Sequence, residues 1–496
     1  MSALEAFGNA RLDGTRRAVG TWFEQSGPYL FVISFSCAYY ILNAPNMLGH
    51  LDLGWHLAAG DLIRERGAIP FQDPWSFTLG DRQWFNASWL WDVTASVIFQ
   101  YAGFGGLVVL AVGCGALIAA YLTTICLRAG TSPVAVCIAV VAACLLYPCY
   151  ATPPNIYLAA APNMATMLFS VVFFGECLRK SRCLVLPLIM LLWVNSHGGF
   201  VLGFLIIGVF AGVALLRRDW ASFRIYTIAG VGCFIAIFAN PLGWRIYFGV
   251  VTTVGHFVQA YITEWMSFFH NMPLPGSIPS ILYILVFAAL NLRFGSTVSV
   301  PLEARILAWL FLFLGIYQFR YISSFFLFST VVMALYIDRL LPTQLARFNV
   351  RKMLFAAGVI GACALPLAFA HVRPALGFHP LLSEQDANYL RTNLPHKRLL
   401  NHWNTGGLLI FYTRGTVPVF VDGRAATAYP DDLLRDYFKL IQVEIDEATW
   451  DAILDKYRID AVLWVKFHDE LRQFLVGKRG WKEVHTGAYE TVYVKP

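Results

Sequence analysis

The sequence predicts a polytopic α-helical membrane protein of about eleven transmembrane helices with a C-terminal soluble α/β domain, and three observations carry that reading. Composition comes first: of 496 residues, 58% are hydrophobic and only 14% charged, and the mean hydropathy of +0.59 lies well above that of a soluble chain. Second, apolar runs mostly of roughly 16 to 23 residues recur along the chain. At about 1.5 Å rise per residue they reach across a hydrocarbon layer of about 30 Å, the shorter ones with local thinning or burial in a bundle. Third, such runs stop near Pro374, and the remaining sequence has mixed charge and globular patterning.

Residues 1–27 carry Arg11, Arg16 and Arg17 ahead of a full-length apolar run, not a short signal core with a small-residue cleavage site. They read as a cytoplasmic segment, and 28–48 as a retained first span. Residues 49–104 form a long outer loop whose last part, 87–103, fits either a span or a helix lying on the outer surface. The positive-inside rule selects the surface helix: only then do Arg179, Lys180, Arg182, Arg217, Arg218 and the run from Arg339 to Lys352 all face the cytoplasm. The other spans then fall at 105–127, 132–148, 163–178, 183–195, 200–216, 222–240, 278–292, 303–317, 320–340 and 353–371. Residues 28–373 thus form the membrane domain, the N-terminus is cytoplasmic, and 374–496 lie outside as an exoplasmic domain. In that domain 417–422 (VPVFVD), 459–465 (IDAVLWV) and 490–494 (ETVYV) predict strands, while 383–393, 430–440 and 447–457 predict helices.

Several function classes are disfavoured. Eight of the ten cysteines lie inside apolar runs, with Cys149 and Cys183 at membrane edges, so neither a disulfide framework nor a metal-ligand spacing is present. The net charge of +7 comes from Lys and Arg scattered among short loops, which fits membrane orientation and not nucleic-acid binding. No Walker loop, dinucleotide fingerprint or zinc pattern occurs. The segment 149–163 (CYATPPNIYLAAAPN) holds no acid, so it offers no carboxylate pair for a divalent ion. Asn86-Ala87-Ser88 is a formal glycosylation sequon on the outer side.

With this topology the outer face collects Asp52, His56, Asp73, Asn195, His197, Asn240, Arg245, Glu264 and Arg320. Ionisable groups at membrane depth are costly and mark function by default. Asp52 fits two roles, a cap on the helix beginning at Leu53 or a base beside His56 one turn along. Asp73 stands before Pro74 in a stiffened loop, as a second carboxylate or only a turn. Asn195, His197, Gly198 and Gly199 interrupt an apolar run, as where helix ends border a polar cavity. Glu264 returns an acid to the bundle mouth beside Trp265, itself a candidate belt anchor. Arg320 suits a lipid phosphate or simple snorkelling.

These residues together resemble the GT-C-fold integral membrane glycosyltransferases, in a bacterial branch of the polyprenyl-phosphate-sugar-dependent type. The resemblance rests on Asp52, Trp55-His56, Gly60, Ile69-Pro70, Asp73-Pro74 and Ser76; on Asn195 and His197-Gly198-Gly199; on Asn240-Pro241 and Gly243; on Glu264-Trp265 and Ser267; and on Asp422-Gly423-Arg424 after VPVFV. It covers nearly the whole chain. It implies a bacterial inner-membrane enzyme that moves a sugar from a polyprenyl-phosphate donor to a glycan, lipid or protein acceptor on the periplasmic face, inverting the anomeric centre. Asp52 is then the base, with His56 and Asp73 shaping the catalytic pocket. Arg320 and Arg245 hold the donor phosphate, and His197, Asn195, Glu264, Trp265, Asp422 and Arg424 line the substrate site. Two departures stand out. The second-loop acid pair of metal-dependent oligosaccharyltransferases is missing, so no cofactor or metal is expected. The basic residue often found before the proline of that loop is replaced by Ala161. Two other readings are a related ligase or transferase moving a lipid-linked glycan or non-sugar group, and a transporter or envelope-assembly protein. The first usually places its large outer loop between spans, and the second often shows a matching second half.

Overall fold

The computed structural model describes residues 26–80, 82–146, 160–180, 183–247, 249, 255–271, 277–342, 350–395, 397–442, 446–466 and 469–496. Most of the acid-free 149–163 segment and most of the N-terminal basic segment lie outside the described residues.

Helices occupy every predicted span. In chain order they are α1 (Ser26–Leu42) and α2 (Ala44–Leu48), then α3 (Leu53–Arg66), α4 (Trp89–Arg128), α5 (Pro133–Leu146), α6 (Asn163–Leu178), α7 (Leu186–Ser196) and α8 (Val201–Leu216). These are followed by α9 (Trp220–Ile237), α10 (Ser277–Phe294), α11 (Leu302–Tyr317), α12 (Ile322–Leu340) and α13 (Val350–Val359), which runs on to Val372. Among the described residues five helices are long and apolar enough to cross a membrane: Trp89–Arg128, Gly198–Leu216, Trp220–Ile237, Phe319–Leu340 and Phe355–Ala375. The Phe319–Leu340 helix is the bundle axis, 83% buried over its apolar window, whereas Phe355–Ala375 is 17% buried and peripheral.

Helix α4 covers most of residues 87–103, expected as a surface helix, and all of the expected 105–127 span. Gly103, at φ 56° and ψ −152°, breaks it in a backbone region open essentially only to glycine, so residues 89–102 change direction before the apolar stretch begins.

The C-terminal domain carries α14 (Glu384–Asn393), α15 (Trp403–Thr413), α16 (Asp431–Gln442) and α17 (Glu447–Tyr457). They pack with a sheet in the order β1-β2-β4-β3. Strand β1 (Leu399–Asn401) runs parallel to β2 (Ala461–Val465), while β4 (Glu490–Val494) is antiparallel to both β2 and β3 (Lys482–Thr486).

One predicted strand is corrected. Residues 417–422 do not enter this sheet but pair with the outer loop through an isolated bridge between Ser76 and Val419. The Val419 N–H donates to the Trp75 carbonyl at 2.9 Å, and the Val419 carbonyl accepts from the Phe77 N–H at 3.3 Å. The side chain of Asn401 occupies the other edge: its amide donates to the Val421 carbonyl at 2.8 Å and its oxygen accepts the Phe420 N–H at 2.8 Å. The apolar run was a sound sign of extended backbone, but its partners lie in another part of the chain.

The resulting core ignores the chain-order boundary. Trp55, Trp75 and Trp84 of the outer loop are buried in one cluster with Leu400, Leu409, Val419, Phe420, Tyr437 and Trp464 of the C-terminal domain. Helix α3 meets α15 through facing glycines: a Cβ on Gly54 would lie 2.4 Å from the Gly407 carbonyl oxygen. Helices α3 and α15 therefore approach closely enough to bring the start of α3 beneath the turn at residues 422–424.

Candidate active site

Asp52 precedes the first turn of α3, and its side chain makes no capping hydrogen bond to that helix. The capping role open to it from sequence is therefore not realised. Its side chain keeps 32% of its surface exposed, while protein closes around it on several sides. Above it lies Gly423, where an added Cβ would fall 1.7 Å from Asp52 Oδ1. Beside it lies His50, whose Nδ1 accepts the Asp52 backbone N–H at 3.3 Å. Burial in this recess lifts the Asp52 carboxyl from 3.8 to about 6, with His56 opposing the shift and Asp422 adding to it. Burial, with nearby His56, pushes His50 down to about 4, against a smaller upward pull from Glu264. At neutral pH the recess thus presents an ionised carboxylate of near-neutral basicity beside an uncharged imidazole.

His56 is buried one turn along α3. Its Nδ1–H donates to Asp92 Oδ1 at 2.6 Å, and the other carboxylate oxygen of Asp92 accepts from Asn86 Nδ2 at 2.8 Å. With Nδ1 committed, Nε2 is the face of the ring left for chemistry. Neither Asp92 nor His50 emerged from sequence reasoning. The available signals were an acid in the first turn of an apolar helix and a histidine two positions before Asp52. Asn86, the formal sequon residue, is only 2% exposed and holds Asp92 and Ser88, so its amide is committed within the protein.

Asp73, expected to shape the catalytic pocket, and Asp422 and Arg424, expected to line the substrate site, lie in a closed ion cluster with no exposed side-chain surface. Arg424 donates through Nε to Asp422 Oδ1 at 2.8 Å, through Nη2 to Asp422 Oδ2 at 2.7 Å, and through Nη1 to Asp73 Oδ1. Nη2 also reaches Ser76 Oγ at 3.0 Å, and Tyr429 Oη donates to Asp422 Oδ2 at 2.7 Å. Trp75 and Trp84 present their rings to the guanidinium at 5.0 and 4.9 Å. Every strong donor and acceptor here is met within the protein, so the cluster pins the Gly423 turn to the outer loop. These three residues position Asp52 without opening onto the recess.

His197 accepts at Nδ1 from Thr166 Oγ1 at 2.7 Å and from the Gly199 N–H at 3.2 Å, while Thr166 accepts from Trp193 Nε1 at 2.9 Å. Its proton therefore resides on Nε2, and burial together with the Arg320 charge pushes the imidazolium down to about 3. Asn195 is spent on structure: its oxygen accepts from Trp89 Nε1 at 2.8 Å and Asn240 Nδ2 at 3.0 Å, and its amide donates to the Leu191 carbonyl at 2.7 Å. Glu264 accepts from Trp265 Nε1 at 2.8 Å, and the Arg320 guanidinium lies 4.2 Å above the Trp265 ring. Arg320 is half-buried, and among the described residues it has no carboxylate within ion-pair distance. Arg245 is exposed in the short 3-10 turn Gly243–Arg245 that follows α9.

Among the described residues no group of three or more His, Cys, Asp or Glu side chains is arranged to hold a metal ion. Asp52, Asp73 and Glu264 in particular do not form one, because Asp73 is turned into the Arg424 cluster.

No protein-family model matches the sequence, and no curated protein is significantly similar to it. Solved structures do resemble it. The oligosaccharyltransferase of Archaeoglobus fulgidus, tethered with an acceptor peptide, gives a TM-score of 0.54 at 12% identity over 90% of this chain and 70% of that one. ArnT from Cupriavidus metallidurans in the apo state gives 0.53 at 15% identity, over 93% of this chain and 97% of the other. The archaeal oligosaccharyltransferase AglB from A. fulgidus, in complex with an inhibitory peptide and a dolichol-phosphate, gives 0.51 at 12%, covering 90% and 70%. The chain thus has the GT-C fold that its sequence resemblance implied.

Proposed function

We propose that this chain is a membrane glycosyltransferase that moves a sugar from a polyprenyl-phosphate donor to an acceptor at the outer face of a bacterial inner membrane. The observation that carries the reading is the Asp52 recess: a partly open carboxylate, raised to about 6, at the mouth of an apolar helix bundle of GT-C fold. A base of that strength is ionised at neutral pH and still strong enough to take a proton from an acceptor as attack begins.

Asp52 removes the acceptor proton, the freed lone pair forms the bond to the anomeric carbon, and the carbon–oxygen bond to phosphate breaks with its electrons leaving on phosphate. Attack opposite the leaving group inverts the centre. Arg320, held over the Trp265 ring and without a carboxylate partner among the described residues, neutralises the departing phosphate. The ordered Nε2–H of His197 is a second donor on that side. No step needs a divalent ion. The eleven helical segments are read as crossings, with the N-terminus cytoplasmic and residues 374–496 periplasmic, which places Asp52 and Arg320 on one outer surface.

The test is mass spectrometry of envelope lipids and glycans from cells lacking the chain, complemented by the intact protein or by Asp52→Asn. A glycan-sized mass that returns only with the intact protein is the expected result. Full restoration by Asp52→Asn, at matched amounts in the membrane, removes Asp52 as the base and brings the transporter and assembly readings forward.

A further inference from the structure

We propose that the acceptor atom is a hydroxyl oxygen, seated between the Nε2–H of His50 and Oδ2 of Asp52. The inference rests on the transferase reading and narrows it to one class of acceptor.

His50 is 7% exposed and its ring is fixed at one end, because Nδ1 accepts the Asp52 backbone N–H at 3.3 Å. A nitrogen that accepts carries no proton, so the single proton of the neutral ring is on Nε2. That nitrogen stands 4.0 Å from Asp52 Oδ2. The separation is too long for a direct hydrogen bond, whose length is about 2.7–3.2 Å. It does fit one intervening oxygen: an atom about 2.8 Å from each, across the 4.0 Å base, sees them at roughly 90°, not far from the angle between a hydroxyl proton and its lone pairs. The oxygen accepts from His50 Nε2–H and donates to Asp52 Oδ2.

The pair is selective because the two partners ask for opposite things. His50 demands a lone pair, and Asp52 demands a proton, on the same atom. A hydroxyl offers both. A carboxamide nitrogen has protons but no available lone pair, and an ammonium has none at all. A phosphate dianion has lone pairs but no proton, and would meet the carboxylates of Asp52 and Glu264. A donor or acceptor left unmatched in the recess loses its solvation without a replacement partner, so the wrong group is rejected even where it fits by size. In transfer the hydroxyl proton passes to Oδ2, the oxygen lone pair forms the glycosidic bond, and the donor's carbon–oxygen bond breaks onto phosphate. His50 neither gains nor loses a proton; its N–H orients the lone pair.

Two isosteric replacements separate this role from simple support of the loop. His50→Asn places an acceptor where Nδ1 stands and keeps the bond from the Asp52 backbone, but lacks the far donor. His50→Gln places an N–H near the position of Nε2. Each variant is expressed in the null strain at matched membrane levels, with thermal unfolding in detergent as a check on folding. His50→Gln is expected to retain the envelope modification within about threefold, and His50→Asn to lose about a hundredfold or more, the scale of one lost oriented donor. Recovery with Asn and not Gln, equal recovery with both, or failure of both overturns the clamp.

The attached glycan supplies the second readout. An O-glycosidic linkage is expected. Release by alkaline elimination marks a Ser or Thr hydroxyl, and resistance to alkali a sugar hydroxyl. An amide-nitrogen linkage or an acid-labile phosphate linkage overturns the proposal while leaving transferase activity standing. If no modification depends on the chain at all, the transferase reading itself has failed.

Discussion

Gly423→Ala tests how closely the C-terminal domain controls Asp52. The new methyl would sit 1.7 Å from Asp52 Oδ1, 2.8 Å from its Cγ and 3.4 Å from Oδ2. A carbon–oxygen contact needs about 3.3 Å, so one partner moves by roughly 1.5 Å. The turn cannot move easily, because Asp422 and Arg424 on either side are locked in the buried ion cluster. Asp52 is the end of a side chain with 32% of its surface open, so it rotates instead, at a cost of about 1 kcal/mol. The same displacement removes the base from the acceptor, and a misplacement of about 1 Å costs about a hundredfold in rate. The expected result is therefore an envelope modification reduced about a hundredfold, with a detergent unfolding temperature within a few degrees of the intact chain. Activity within about threefold of the intact protein refutes the placement of Asp52 under the turn. A large loss of stability refutes the claim that Asp52 is the element that yields.

Other outcomes follow from the buried charges. Arg424→Met leaves Asp73 and Asp422 buried without a cation and is expected to destabilise the protein by roughly 3–5 kcal/mol, read by denaturant or thermal unfolding. Adding Asp73→Asn and Asp422→Asn to that variant restores most of the loss if the penalty is uncompensated charge. Asp52 has a folded-state pKa of about 6 against 3.8, so its stabilising contribution is intact at low pH and disappears as pH rises through 6. Asp52→Asn should accordingly raise stability at pH 7 by on the order of 1–2 kcal/mol after solvent screening, with no gain at pH 4. Transfer by the intact chain should fall on acidification below about 6, as the base takes up its proton. Glu490 is 1% exposed, and burial together with the Asp386 charge raises its pKa well above the usual range, against a smaller opposing hydrogen bond from Thr405. Its contribution is therefore lost as pH rises, and Glu490→Gln should flatten the alkaline side of the unfolding-temperature profile.

The helices of the membrane domain were legible because lipid imposes a uniform demand, a run of apolar residues long enough to satisfy its own backbone. The break at Gly103 falls at the boundary that charge asymmetry drew between residues 87–103 and the expected 105–127 span. Asp52 stood out as an acid just beyond a span. Less legible was anything that depends on distant pairing. Asp73 and Arg424 are separated by 351 positions, and nothing local to either tells that a guanidinium closes over that carboxylate. Residues 417–422 carried a correct signal for extended chain and no signal for which edge they would join. The short strand β1 and helix α15 escaped because three residues and a Gly-Gly pair give weak periodicity, although that pair is what allows α15 to lie on α3. His50 was hidden by its plainness, a single histidine before a helix, since sequence spacing does not give its ring's 4.0 Å approach to Asp52 Oδ2.

The boundary near residue 374 divides the sequence but not the fold. If the C-terminal domain were a detachable lid, the outer loop would satisfy its own apolar and charged groups without it. Instead Trp55, Trp75 and Trp84 find their burial in that domain, and Asp73 pairs with Arg424 there. The second outer segment is tied to it as well: His256 Nε2–H donates to the Tyr429 carbonyl at 3.1 Å, Phe257 N–H donates to Asp431 Oδ1 at 2.9 Å, and Tyr261 stacks on Phe438 at 3.9 Å. This tethered stretch leads within a few residues to Glu264 and Trp265, which carry Arg320. The domain thus grips both the loop that bears Asp52, the proposed base, and the loop that backs Arg320, the proposed phosphate ligand. Their spacing is then set by a soluble core of ordinary packing density, which transmits strain instead of absorbing it. That is a physical reason for the proposed enzyme to build its recess partly from the C-terminal domain. A bundle of apolar helices offers little directional bonding with which to fix two polar loops, whereas a buried Arg–Asp cluster and a shared aromatic core fix them to within a hydrogen bond's length.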